Sequence, residues 1–269
     1  MTHGWTPDGF ILDLDGTVYA GSRPIDGAAE AVAFLRSRGK RIVFLSNRGN
    51  ISRRMCRERL AAMGIPCGEE DIILTSSVVA RYLKEHEPDA RVWVLGEQGL
   101  RDELALHGVR FAARPQEADR LVVTLHETLT YAELNDAFRA VRAGARIIAT
   151  NEDKTFPGED GEAIDVGAVL AALEHATGTK VDTVVGKPSL TMARAALDRL
   201  GLAPERCLIV GDSLGSDIAM GKRAGIRTAL VLTGSATREA AMALDPAERP
   251  DWILDSLADL RRLLEEMEP

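Results

Sequence analysis

Two carboxylates, Asp13 and Asp15, close the segment GFILDLDGT, with Gly16 and Thr17 directly behind them. Acids are a poor way to finish an apolar run, because burying a charge without a partner is expensive. Alternation along an extended strand puts both on one side with Leu14 opposite. A shared cation would relieve the repulsion between them. One such carboxylate can attack an electrophile and carry a covalent intermediate, while the other protonates a leaving oxygen and later deprotonates water. Asp13, nearest the rigid strand end, is the better nucleophile, and Asp15, entering the turn, is freer to meet a leaving group. Spacing alone leaves that division open.

Further polar groups follow apolar runs elsewhere: Ser46 and Asn47 after RIVFL, Lys187 after DTVVG, and Asp212 after CLIVG. Each is expected at the C-terminal end of a strand, and in an open parallel sheet those ends form the edge where ligands bind. Asp13, Asp15 and Asp212 are oxygen donors, a set that suits magnesium in contact with a substrate phosphate. Ser46 and Lys187 would hold the remaining phosphate oxygens. Gly16 leaves room for a backbone N–H to approach them, and Thr17 can donate as well. The chemistry expected of this set is phosphoryl transfer, achieved by positioning and charge compensation. Arg48 reads either as a pocket cation or as a surface ion pair. Asn151 and Asp153 read as substrate-bordering residues or as ordinary loop polarity, and His126 as a substrate contact or a structural side chain.

The elements that must position these residues alternate between short apolar runs and helical patterns. GFILDL, KRIVFLS, ARVWVLG, RLVVTLHE, ARIIATN, VDTVVG, CLIVG and RTALVLTG read as strands. Between them, GAAEAVAFLRS, SRRMCRERLAAMG, QGLRDELALHG, TYAELNDAFRAVRAG, DVGAVLAALEHATG and PSLTMARAALDRLG read as helices. Thr130 and Glu133 have capping-box spacing, and NEDKTFPGEDGE reads as a polar loop. A WIL strand and a closing helix complete the chain. The pattern implies an α/β fold: a Rossmann-like three-layer core with a parallel sheet, plus an inserted α/β domain. The divisions expected are 1–79 core, 80–182 insert and 183–269 core.

Composition excludes several function classes. The 269 residues are 45% hydrophobic, enough for a sizeable core. A net charge of -8 argues against nonspecific nucleic-acid or anionic-membrane binding. No apolar run has membrane-span length, and MTHGWTPDGF lacks a signal-peptide pattern, so a cytoplasmic protein is expected. Cys56, Cys67 and Cys207 lack metal-ligand spacing and read as packed thiols. The histidines form no HxH or HExxH pattern.

DLDGT at 13–17, Ser46, Lys187 in VGKPS, and GDSLGSD at 211–217 resemble the four motifs of the haloacid dehalogenase superfamily. The long interval between Ser46 and Lys187, with ATNEDKTFPGEDGEAIDVGAV, resembles the large α/β cap of the NagD-like phosphatases. The resemblance implies Asp13 as nucleophile and Asp15 as general acid/base. It implies phosphate binding by Ser46 and Lys187, with Gly16 and Asn47 beside them. Magnesium would be held by Asp13, Asp212 and the backbone carbonyl of Asp15, with Asp217 in support. The sequence departs from the common subfamily pattern, a threonine followed by two asparagines, in having Ser46, Asn47 and Arg48, and it departs again at Thr124 and His126.

A magnesium-dependent phosphomonoester hydrolase of broad sugar-phosphate specificity, working through an aspartyl-phosphate, is therefore the expectation by resemblance, with cap-mediated homodimers. Phosphoglycolate, pyridoxal phosphate and nucleotides are alternative substrates. A sugar phosphomutase and a non-catalytic phosphate-binding module are alternative functions. The chain carries neither GxGxxG nor GxxxxGK[ST].

Overall fold

The computed structural model describes residues 5–158 and 161–267. The chain forms two compact units: Met1–Ser46 with Arg57–Ile73 and Lys187–Pro269, and Asn47–Cys56 with Leu74–Gly186.

In the first unit a six-stranded sheet runs in the order Trp252–Leu254, Arg227–Val231, Cys207–Gly211, Gly9–Asp13, Arg41–Ser46, Ile72–Leu74. The pairings from Trp252–Leu254 across to Arg41–Ser46 are parallel. Gly9–Asp13 and Cys207–Gly211 are buried along their whole length, as continuous apolar strands in a parallel sheet should be. The helix Ala28–Ser37 buries Ala28, Ala31, Val32 and Leu35, one stripe at helical spacing. The helix Leu190–Leu200 ends on Gly201 in the left-handed conformation, the usual glycine stop.

The second unit has a five-stranded sheet in the order Val181–Val184, Arg146–Ala149, Arg120–Val123, Arg91–Leu95, Arg110–Phe111, parallel throughout. Leu121, Val123 and Ile147 from its strands pack with Ala137, Ala140, Leu170 and Leu173 from the helices Tyr131–Arg142 and Val166–Thr177. The Thr130 capping box is present: the Thr130 N–H donates to Glu133 Oε2 at 2.9 Å and the Glu133 N–H to Thr130 Oγ1 at 3.3 Å. No helix among the described residues is long and apolar enough to cross a membrane.

The Rossmann-like α/β core follows the expected alternation, with four differences in detail. The VDTVVG strand pairs with Arg146–Ala149 in the second sheet rather than joining the core sheet. Short parallel strands of both sheets carry the same apolar signature, so their sheet membership was not readable. The segment expected as a loop contains an antiparallel pair, Thr155–Gly158 with Gly161–Ile164. The first strand stops at Asp13, so a turn rather than strand alternation sets the direction of Asp15. Finally, the second unit runs over Leu74–Gly186, beside an expected insert of 80–182, and includes residues 47–56. Thr75 and Ser76 tie them there, donating to the carbonyls of Asn47 and Ile51 at 2.8 Å each.

Candidate active site

Sheet register gathers the acids of the first unit. Asp13 lies level with Leu45, and Leu12 with Val210. Ser46 and Asp212 therefore stand just past the Asp13 level on the two flanking strands, about 4.8 Å to either side. Lys187 comes by another route. It opens the returning chain ahead of the helix Leu190–Leu200, whose N-cap is Ser189. Its Nζ donates to Asp13 Oδ1 at 2.5 Å and to Asp217 Oδ1 at 2.7 Å. All three side chains are buried.

Asp217 sits in a single π-helical turn, Leu214–Ile218, and its Oδ2 accepts the Ser213 N–H at 3.2 Å. Wide turns of this kind are frequent at functional sites. Asp212 Oδ2 accepts the Ser235 N–H at 2.6 Å, and the Ser235 hydroxyl donates to the Asp212 carbonyl. Thr233 in the same loop donates to the Gly16 carbonyl at 2.6 Å. Thr233 and Ser235 were not singled out from sequence. Their signal was a glycine flanked by hydroxyls, TGS, just past a core strand. Gly16 has φ +82°, and a Cβ there would lie 2.7 Å from Asp212 Oδ2. Only glycine allows that conformation and that approach together. Its own N–H donates to the Tyr19 carbonyl at 2.7 Å, so Gly16 contributes room rather than a donor. Thr17 likewise is engaged internally, its hydroxyl donating to Asp13 Oδ2 at 3.2 Å. Half-buried Asp15 accepts from the Tyr19 hydroxyl at 3.3 Å.

Burial pushes the Asp13 carboxyl well above its ordinary range. Lys187 opposes that shift, while Asp217 and Asp212 add to it. Burial and the Asp217 charge also raise Asp212, against the Ser235 donors and Lys187. For Lys187 burial works against the charged form, but Asp13 and Asp217 outweigh it and the ammonium is held on. Carboxylate oxygens of Asp13, Asp212 and Asp217 all lie within 4.8 Å of one another. Three carboxylates against one ammonium leave a charge of about −2 when all are ionised. That balance, with hard oxygen donors, fits a divalent cation such as magnesium.

The other expected residues belong to the second unit. Asn47 Nδ2 donates to Asp153 Oδ2 at 3.1 Å. Asn151 Nδ2 donates to the Asn47 carbonyl at 3.4 Å, and its Oδ1 accepts the Asp153 N–H at 3.1 Å. The structure adds Asp165, the N-cap of the helix Val166–Thr177, which accepts the Val166 N–H at 2.6 Å. Arg48, Asp153 and Asn151 also act on it electrostatically or by hydrogen bond. Asn47, Arg48, Asn151 and Asp153 are thus brought together, with Asp165 added. His126 Nε2 meets Glu133 Oε1 at 3.1 Å.

A core sheet with carboxylates at its C-terminal edge and a buried bridging lysine defines a hydrolase of the haloacid dehalogenase type. Comparison with known proteins agrees. Residues 10–110 match the model of the haloacid dehalogenase-like hydrolases, and residues 184–260 match a second model of that group. The chain is 55% identical to the sugar-phosphatase AraL of Bacillus subtilis, over 97% of this chain and 94% of that protein. It is 34% identical to the 5'-nucleotidase YutF of the same organism, over 94% and 97%. Among solved structures, a p-nitrophenyl phosphatase from Archaeoglobus fulgidus superposes with a TM-score of 0.89 at 39% identity, covering 96% of this chain and 99% of its own. A glycerol phosphate phosphatase from Mycobacterium tuberculosis in complex with magnesium superposes at 0.87 and 33% identity, covering 94% and 76%. The chain belongs to the haloacid dehalogenase-like hydrolases.

Proposed function

We propose that this chain is a magnesium-dependent phosphomonoester hydrolase acting on sugar phosphates through an aspartyl-phosphate. The observation that carries the reading is the buried Lys187 ammonium between Asp13 and Asp217, with Asp212 alongside, at the C-terminal edge of the core sheet. The Asp13 carboxylate attacks phosphorus as Asp15 gives its proton to the leaving oxygen. Asp15 then takes a proton from water, which attacks the phosphoaspartate and frees phosphate and Asp13. Ser46 and Lys187 hold the phosphoryl oxygens, and Asp217 keeps Lys187 in place. Asp13, Asp212 and the Asp15 carbonyl would hold magnesium, which supplies positive charge against that developing on the phosphoryl group.

The second unit, in this reading, is the cap that selects the leaving group. Its polar cluster of Asn47, Arg48, Asn151, Asp153 and Asp165 is assigned to the hydroxyl-rich part of a sugar phosphate. A sugar substrate is supported by the 55% identity to AraL. His126, committed to Glu133, is assigned no substrate contact. The test is phosphate release from a panel of sugar phosphates, phosphoglycolate, pyridoxal phosphate and nucleotides with magnesium present. Asp13→Asn should reduce turnover on every substrate by roughly a thousandfold or more. Normal turnover by that variant would remove Asp13 as nucleophile.

A further inference from the structure

We propose that Tyr19 is a positioning residue for Asp15, fixing the carboxyl that handles the leaving-group proton. The inference rests on the acid/base reading of Asp15 given above. Asp15 lies past the strand end, so the strand does not aim it. The turn that carries it is tightly tied. The Leu14 carbonyl accepts the N–H groups of Thr17, Val18 and Tyr19 at 3.2, 2.9 and 3.1 Å, and the Gly16 N–H returns to the Tyr19 carbonyl. This winding brings Tyr19 back beside Asp15, where the two form a β-bridge.

Tyr19 is fully buried, and a buried phenol needs an acceptor for its proton. Asp15 Oδ2 accepts it at 3.3 Å. The ring is itself clamped: the Arg59 guanidinium carbon lies 4.3 Å from the ring centroid, and Arg59 also donates to the Gly21 carbonyl in the hairpin Tyr19–Ala20/Arg23–Pro24. Phenylalanine would fill the same space. What the hydroxyl adds is a fixed donor that holds one carboxyl oxygen and so sets the direction of the other. General acid catalysis depends on that direction.

The test compares wild type, Tyr19→Phe, Asp15→Asn and the double variant on phosphate esters whose leaving groups run from dinitrophenol to a simple alcohol. A dinitrophenolate leaves with little need of a proton, whereas an alkoxide needs one. Read as kcat/KM, which reports formation of the phosphoaspartate and not its hydrolysis common to all esters, Tyr19→Phe should be near normal on the dinitrophenyl ester and lose roughly tenfold on the alkyl ester. Asp15→Asn should lose roughly a hundredfold or more on the alkyl ester, and adding Tyr19→Phe to it should cost nothing further. Arg59→Met, which frees the ring but keeps the phenol, should show the same dependence at smaller amplitude. An equal loss across the series in Tyr19→Phe, no loss at all, or additive losses in the double variant would overturn the role of Tyr19. A flat profile in Asp15→Asn would overturn the acid/base reading beneath it.

Discussion

Replacing Lys187 by methionine keeps most of the side-chain length and removes the charge. The ammonium makes contacts of 2.5 and 2.7 Å to two carboxylates, and all three side chains are at most 6% exposed. Exchanging a whole buried ion pair for apolar groups is often neutral, but here the anions would stay behind. Leaving a buried charge unpaired costs about 3–5 kcal/mol. For a chain of this size each kcal/mol lowers Tm by about 2–4 °C, so the metal-free variant should melt roughly 10 °C below the wild type. Part of the loss is recoverable by protonation. Asp13 has a folded-state pKa above its unfolded value, so its protonated form favours folding, and that contribution fades as pH rises through the folded pKa. The gap between variant and wild type should therefore narrow as pH falls through the raised Asp13 pKa. Magnesium should raise the Tm of the variant more than that of the wild type, since three carboxylates without a lysine attract the ion more strongly. Thermal unfolding followed by circular dichroism, with chelator and with magnesium, measures each quantity. A metal-free variant as stable as the wild type at neutral pH would refute the charge argument.

Further outcomes follow from neighbouring contacts. Gly211→Ala would place a Cβ 2.2 Å from Asp217 Cγ. Asp217 must then move and Lys187 loses one anchor, so phosphate release should drop about a hundredfold while the far-ultraviolet spectrum is unchanged. Undiminished turnover would show that Asp217 does not position Lys187. Asp165 is pushed up to about 6 by burial and by Asp153, against the Val166 N–H, Arg48 and Asn151. An acid raised in the folded state stabilises it below the unfolded pKa and less as pH rises, so wild-type Tm should carry a downward component between about pH 4 and about pH 6. Asp165→Asn should remove that component, and identical pH slopes in both proteins would count against it. Inorganic phosphate, a dianion meeting a cluster of about −2, should bind and raise Tm only when magnesium is present. Equal protection by phosphate in chelator, read by Tm, would contradict this.

The core was legible because burial dictates composition. A strand covered on both faces must be apolar along its length, so GFIL and CLIVG announced themselves, and the acids that end them stood out as departures. Lys187 was found for a partly mistaken reason: the strand before it belongs to the other sheet, and what delivers the lysine is the returning chain and the cap of the next helix. Asp165 was hidden because an aspartate before an apolar helix reads as an ordinary N-cap, which it also is. Tyr19 was hidden for a related reason. A tyrosine in an apolar stretch is bulk, and only the turn geometry shows where its hydroxyl goes. The antiparallel pair around 155–164 escaped because a short two-stranded element need not alternate in polarity.

Each buried acid of the cluster has donors, yet none of those donors except Lys187 carries a full charge. Asp13 has Lys187 and Thr17, Asp212 has Ser235, and Asp217 has Lys187 and the Ser213 N–H. Hydrogen bonds fix where the oxygens point, but they do not cancel the repulsion among them. The fold therefore holds a strained charge distribution in a rigid frame of strand ends, tight turns and close glycines. Strain of this kind persists only where the surroundings over-determine it. The same frame means that little reorganisation remains to be done when a cation and a phosphoryl group arrive, which is the condition under which fixed charges lower a barrier most.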